Sequence, residues 1–466
     1  MPKRSLLAAA LLCLWGSQPL SAHAAGDADV AQNIGQLRAE FEAKLKALQD
    51  SYEARLHDLE ARLEKTGRQA ESARAAADQA AREPAGATAF NPEISLILQG
   101  RFNDRKAGER RPTGFLRDAG IEAPARGFSL DDTELIVAAN IDPYFRGLAN
   151  VVLADGEAEL EEAWFQTLSL GHGLTLKGGR FISGIGYQNE QHPHAWDFAD
   201  NNLMYQTLFG EHLVQDGAQL KWLAPTETFL ELGAEVGRGQ AFPGSEAGGD
   251  KNGPGAWALF GHVGGDVGAS HAWRAGLSYL GARPRDRESV LQDLSGVDTL
   301  AAFSGRSRTW IADFIWKWAP EGNPMARSFK FQSEFFRRNE TGDLSCDDAD
   351  PATPSLCTGG SAGNYRARQT GWYAQGVYQF MPRWRVGLRY DRLDMGSLDY
   401  GANNAFLLSG DYNPNRWSLM TDYAPSEFSL FRLQFSRDHS MRGDPDNSQI
   451  TLQYVYSLGP HGTHKF

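Results

Sequence analysis

The sequence predicts an all-β transmembrane barrel of about sixteen antiparallel strands, preceded by an α-helical coiled coil. Three observations carry that expectation. From Asn91 onward the hydropathy alternates with a period of two, and the connectors between alternating segments are by turns short and long. Before residue 66 an apolar stripe recurs with a helical period instead.

The alternation is clearest where Trp310, Ala312, Phe314, Trp316 and Trp318 interleave with Ile311, Asp313, Ile315 and Lys317. One face of such a strand suits lipid and the other, at least in part, water. The same rhythm runs through Phe431-Arg432-Leu433-Gln434-Phe435 and Ile450-Thr451-Leu452-Gln453-Tyr454. About sixteen such segments lie near 94–102, 128–140, 144–153, 159–169, 174–181, 216–223, 227–237, 256–265, 271–281, 307–318, 328–338, 370–380, 384–393, 415–423, 427–438 and 447–457. Most have the length a tilted strand needs to cross a bilayer.

Short connectors include Asp142-Pro143, Ala224-Pro225, Ala319-Pro320, Met381-Pro382 and Ala424-Pro425; long ones cover roughly 103–127, 182–215, 238–255, 282–306, 339–369 and 394–414. Short turns on one side and long loops on the other are the pattern of an outer-membrane barrel, and an even strand count returns both ends to the periplasmic side. A soluble β-sandwich or propeller would need an apolar partner for stretches such as Phe329, Phe331, Phe335 and Phe336, or Trp384, Val386, Leu388 and Tyr390, and no propeller repeat is visible. The aromatic Phe466 after the last amphipathic strand fits an outer-membrane barrel, although Gly459 to Lys465 separate the two.

At the amino end, Lys3 and Arg4 precede the apolar run Leu6 to Trp15 and the small-residue site Ser21-Ala22-His23-Ala24. That order reads as a signal peptide over 1–24, with Cys13 inside the discarded part. A periplasmic coiled coil is expected over 25–65. Ile34, Leu37, Phe41, Leu45, Leu48, Tyr52, Leu56, Leu59 and Leu63 repeat with an eleven-residue period, which favours a straight or slightly right-handed bundle. Self-association, most simply as a trimer, competes with a lone amphipathic helix lying on the barrel. A linker over 66–90 ends at Pro84 and Gly86, and the barrel occupies 91–466.

The net charge of −12 argues against nucleic acid as a partner. No run of 18 apolar residues follows the signal, which excludes a helical membrane protein. Fifty glycines with 12 Trp, 14 Tyr and 25 Phe suit many short strands meeting turns and a membrane interface. Cys346 and Cys357, close together in an acidic Gly/Pro-rich stretch of an exported chain, are expected to form a loop disulfide.

The stretch Leu160-Glu161-Glu162-Ala163-Trp164-Phe165, then Leu174-Thr175-Leu176-Lys177-Gly178-Gly179-Arg180-Phe181, then Gly184-Ile185-Gly186, resembles the phosphate-selective porin O and P family. The similarity in layout covers roughly 90–466. It implies a sixteen-stranded channel, commonly trimeric, whose third long loop folds in and narrows the lumen. The family's phosphate selectivity rests on lumen arginines and a lysine cluster in the constriction, and there this sequence departs. The candidate constriction loop, Ile182 to Gln215, has no lysine or arginine, and holds Glu190, His192, His194, Asp197, Asp200 and Glu211, with His212 as well and Asp216 just beyond. An anion filter needs a ring of cations, so this loop points toward neutral or cationic solutes. Arg180, Arg385, Arg389 and Arg432 could form a basic lumen strip opposite it.

Other motifs carry competing readings. His192 and His194, with Asp197, offer metal-binding residue types, as do His461 and His464; a solvated loop would hold the same residues. Trp196, Phe198, Tyr205 and Phe209 could stack sugars or simply pack the loop on the wall. The run Asp343 to Asp350 could hold calcium or form an exposed loop tip. His439 and Ser440 are sequence neighbours whose side chains would point apart along a strand, so no catalytic function is expected.

The expected function is an outer-membrane porin of a Gram-negative bacterium giving passive diffusion of small solutes or ions, not specific for phosphate, with no cofactor. Its expected partners are outer-membrane lipid, the solutes, and other copies in a homotrimer joined by the coiled coil. The alternatives are an outer-membrane receptor or uptake protein for a metal ion or other ligand, and a structural tether to the cell wall. Residues 26–90 are too short and too helical for the plug of an energised receptor.

Overall fold

The computed structural model describes residues 38, 39, 41–47, 49–51, 53 and 57, and 92–459 without 109–110, 120–122, 155–156, 358–359, 409–411 and 443–446. The signal sequence, the 66–90 linker and the terminal His461, His464 and Phe466 lie outside these. The chain divides into two units, Met1–Ala87 and Thr88–Phe466. In the first, every described residue is helical and exposed, Phe41 and Leu45 of the stripe included. The pairing of such helices into a coiled coil is not shown.

In the second unit the alternating segments form strands that join into one closed antiparallel sheet. The strands are β1 (Glu93–Asp104), β2 (Gly127–Leu130), β3 (Thr133–Asn140), β4 (Phe145–Ala154), β5 (Glu157–Thr167), β6 (Leu174–Ile182), β7 (Val214–Leu223), β8 (Phe229–Gly237) and β9 (Ala256–Val267). They continue as β10 (His271–Ala282), β11 (Arg287–Gln292), β12 (Asp298–Trp318), β13 (Ser328–Asp348), β14 (Ser361–Met381), β15 (Trp384–Asp399), β16 (Asn415–Ser426), β17 (Ser429–His439) and β18 (Asn447–Leu458). Closure is made by β1 against β18, in register from Leu96↔Leu458 to Asp104↔Ile450. Two pairs of the eighteen are single staves interrupted once. β2 and β3 both pair with β1, and β10 and β11 both pair with β12. The wall therefore has sixteen staves, and all sixteen predicted segments fall on them.

Side-chain direction follows the period of two. On β12, Trp310, Ala312 and Phe314 are exposed while Thr309, Ile311, Asp313 and Ile315 are buried. The outward face is apolar over a limited height and then turns basic. Arg308 follows Trp310 on β12, Arg337 follows Phe335 on β13, Arg392 follows Tyr390 on β15, and Arg437 follows Phe435 on β17.

Four strands exceed the expectation. β12, β13 and β14 each have 21 residues and β15 has 16, so much of the expected long loops 282–306, 339–369 and 394–414 is strand. Their upper parts carry polar residues outward, so the amphipathic signal fades while the hydrogen-bond ladder continues. Inside this extension a small apolar core gathers Leu116, Leu291, Phe303, Leu344, Tyr365, Tyr400 and Leu407 around Cys346 and Cys357. Those cysteines form a disulfide, with their Cα atoms 5.7 Å apart. The first long loop also folds inward rather than outward. Arg338 donates to the Leu116 carbonyl at 3.0 Å and Gln369 to that of Gly114 at 2.8 Å.

Candidate functional site

The segment between β6 and β7 lies inside the barrel. It turns in through Gly186, whose φ of +64° suits glycine and whose missing Cβ leaves room for Tyr205 and Glu334. A short helix α1 (Leu203–Leu208) follows, capped by the Asn202 side chain accepting from the Tyr205 N–H at 3.1 Å. Ile185, Leu203, Met204, Tyr205, Leu208, Phe209 and Leu213 pack on Phe260, Leu280, Ile311, Phe336, Tyr373 and Leu393 of the wall. That wall, from β9 to β15, supplies the apolar side of the lumen. The other side, through β16, β17, β18 and β1, is lined by groups such as Ser418, Gln434, Thr451, Gln453 and Gln99, all buried on inward positions.

The predicted acidic loop residues meet cations. Asp197 accepts from Lys330 at 2.9 Å and from Arg385 at 3.2 Å. Burial alone would raise its carboxyl, but Lys330 and Arg385 outweigh burial and hold it at about 2. Asp200 bridges Arg389 at 2.7 Å and Arg416 at 2.8 Å, which keep it well below the ordinary carboxylate range despite burial. Glu190 lies 3.2 Å from Lys221 and 3.5 Å from Arg274. Glu211 is different. Burial, and then the nearby Asp132, push its carboxyl up to about 7.

Of the expected basic strip, Arg385, Arg389 and Arg432 point inward. Arg432 donates to the Trp196 carbonyl at 2.9 Å and pairs with Asp422. Arg180 does not join them. It is paired with Asp216 at 2.6 Å across the β6–β7 ladder, on the face where Leu220 and Trp222 are exposed, because Arg180 shares the outward parity of Leu174 and Leu176 along β6. Arg416, fully buried between Asp200 and Asp391, takes the place Arg180 was expected to fill. Its position next to Trp417, opening a strand, gave little warning in the sequence. Lys330, Lys221, Arg274 and the buried Glu334 were likewise missed. Glu334 accepts from the Gln188 N–H at 2.8 Å, the Tyr205 hydroxyl at 2.9 Å and the Tyr373 hydroxyl at 2.7 Å.

His192 and His194 stack with ring centroids 5.6 Å apart and face Glu134 of β3 and Glu161 and Glu162 of β5, rather than Asp197. Trp196, Phe198, Tyr205 and Phe209 are all buried, so they pack the loop and offer no open slide for a sugar. His439 and Ser440 make separate contacts: the His439 carbonyl accepts from Tyr412 and the Ser440 N–H donates to Asp438. Asp348 and Asp350 accept from local backbone and hydroxyl groups of the tip, holding its turn. The loop is thus tied to staves from β3 round to β17.

No family model matches the chain. An uncharacterised protein of Aquifex aeolicus strain VF5 is 30% identical over 413 residues, which is 82% of this chain and 81% of that protein. The chain belongs to that protein's family. Among solved structures, the outer membrane protein OmpT of Vibrio cholerae in its trimer form is similar over 79% of this chain and 99% of its own, at 10% identity and TM-score 0.47. Pseudomonas putida OprB is similar over 79% and 94% of the two chains, at 12% identity and TM-score 0.47. The outer membrane channel DcaP of Acinetobacter baumannii covers 79% and 97%, at 11% identity and TM-score 0.46.

Proposed function

We propose that this protein is an outer-membrane channel for passive diffusion of small solutes or ions, with the β6–β7 loop as its constriction and no specificity for phosphate. The observation that carries this reading is the combination of a closed sixteen-stave wall, an apolar outward band and a loop drawn into a partly polar lumen. A soluble protein has no use for an outward girdle containing Trp310, Trp372, Trp417, Phe431 and Leu433. On β12 the nine residues from Trp310 to Trp318 match a tilted bilayer crossing, and the arginines just beyond Trp310 stand at the depth of lipid phosphates. In this reading the amino-terminal helical segment is periplasmic, and its exposed Phe41 and Leu45 suit a homotrimeric coiled coil.

Against phosphate specificity, the inward cations nearest the loop are engaged by carboxylates, Lys330 and Arg389 by the loop's own Asp197 and Asp200, and Arg432 by Asp422 of the wall. A filter that strips water from a phosphate needs uncommitted positive charge. Purified full-length protein in a planar bilayer is expected to give steady open steps with weak ion preference in a salt gradient. Silence would overturn the channel, and strong anion selectivity would overturn the charge argument.

A further inference from the structure

We propose that Glu134, Glu161 and His192 form a binding site for a divalent transition-metal ion such as zinc on the lumen wall. The site names a solute class for the proposed channel, but binding there stands or falls independently of whether the barrel conducts. His192 Nδ1 lies 3.4 Å from Glu134 Oε2 and 3.4 Å from Glu161 Oε2. The three donor atoms all lie within 4.8 Å of one another. Metal–ligand bonds of about 2.0–2.2 Å put adjacent donors of a tetrahedron roughly 3.3 Å apart. The two histidine–carboxylate spacings are of that size, and they are too long for good hydrogen bonds.

Two further features point to an ion rather than to a self-satisfied polar cluster. His192 Nδ1 has no hydrogen-bond partner although it is buried. Asn150, fully buried on β4, spans the same carboxylates through Nδ2, at 3.2 Å to Glu134 and 2.7 Å to Glu161, while its Oδ1 has no partner. Turning that amide over would bring a neutral oxygen donor toward an ion held between the carboxylates. The surroundings hold the ligands in place. His194 Nδ1 lies 2.7 Å from the other oxygen of Glu134, the arrangement that orients a metal-binding carboxylate. Glu162 faces His192 Nε2 at 3.2 Å, but the Trp164 indole, the Ile182 N–H and the charge of Lys177 already engage it. It therefore positions His192. Imidazole with two carboxylates favours zinc and its first-row neighbours over calcium, which takes six or more oxygens.

The test is calorimetric titration of zinc chloride into the full-length protein in detergent, in a His461→Ala/His464→Ala background so that the terminal pair does not contribute. Cobalt absorption reports the geometry. One ion per chain is expected, with affinity at least tenfold lower after Glu134→Gln/Glu161→Gln and after His192→Asn. The loop variant His192→Asn and heat-modifiable gel mobility separate lost ligands from lost folding. Absence of binding, affinity unchanged in folded His192→Asn, or preference for calcium over zinc would each overturn the site. Zinc binding by a protein that is silent in bilayers would instead overturn the channel and leave the site standing.

Discussion

At the residue scale the lumen is governed by which charges find partners. Asp197 and Asp200 are each shared between two wall cations, so substituting them frees positive charge rather than simply removing negative charge. Neutralising Glu190, Asp197 and Asp200 together is expected to shift the reversal potential toward anions, because Lys221, Arg274, Lys330, Arg385, Arg389 and Arg416 would each lose one carboxylate partner. An unchanged reversal potential would show that these pairs lie off the conducting route. Glu211 gives a pH dependence. Its carboxyl, pushed up to about 7, is protonated below that pH and anionic above it. Cation preference should therefore rise between pH 6 and pH 8, and Glu211→Gln should flatten that rise; a profile that is flat in the unmodified channel argues against Glu211 facing the path. Replacing Gly186 by Ala places a left-handed residue against Glu334 and Tyr205, a cost of about 1–2 kcal/mol from the backbone alone. It is expected to lower the unfolding temperature and raise conductance as the loop loosens.

At the element scale the long strands β12 to β15 form a tower above the apolar band, stapled at its tip by Cys346–Cys357. The bridge closes a segment of sequence separation 11, and the loop-entropy relation gives about 2–3 kcal/mol for a loop of that size. Because it lies beyond the band, Cys346→Ser/Cys357→Ser should leave barrel assembly intact and open the 349–356 tip to protease. Loss of the heat-modifiable form in that variant would mean that the tower supports the wall itself. The sequence foretold the bridge but not the strands beneath it. Outside the bilayer both faces of a strand can be polar, so residues such as Arg366, Arg368 and Asp343 read as loop even though backbone pairing continues through them.

At the scale of the whole molecule, the helical segment and the barrel are separate units. Deleting residues 30–65 is therefore expected to leave a folded, conducting barrel and to weaken oligomerisation, measured by cross-linking and by sedimentation in detergent. Failure of the truncated chain to reach the heat-modifiable state would make the segment part of barrel folding.

The sequence by itself determined the sixteen staves, their order, the disulfide and the acidic, histidine-bearing character of the inner loop, because period-two hydropathy, turn residues and cysteine spacing are local signals. Only the tertiary structure decided which side chains share the lumen. It brought Arg416 and Lys330 to the loop carboxylates across more than 130 positions of sequence, paired Arg180 with Asp216 on the outward face, and moved the histidines from Asp197 to Glu134 and Glu161. A closed sheet sets such neighbours by register and by the path of a loop through its interior. One residue of slip exchanges the two faces, and no local pattern records which wall a loop will reach.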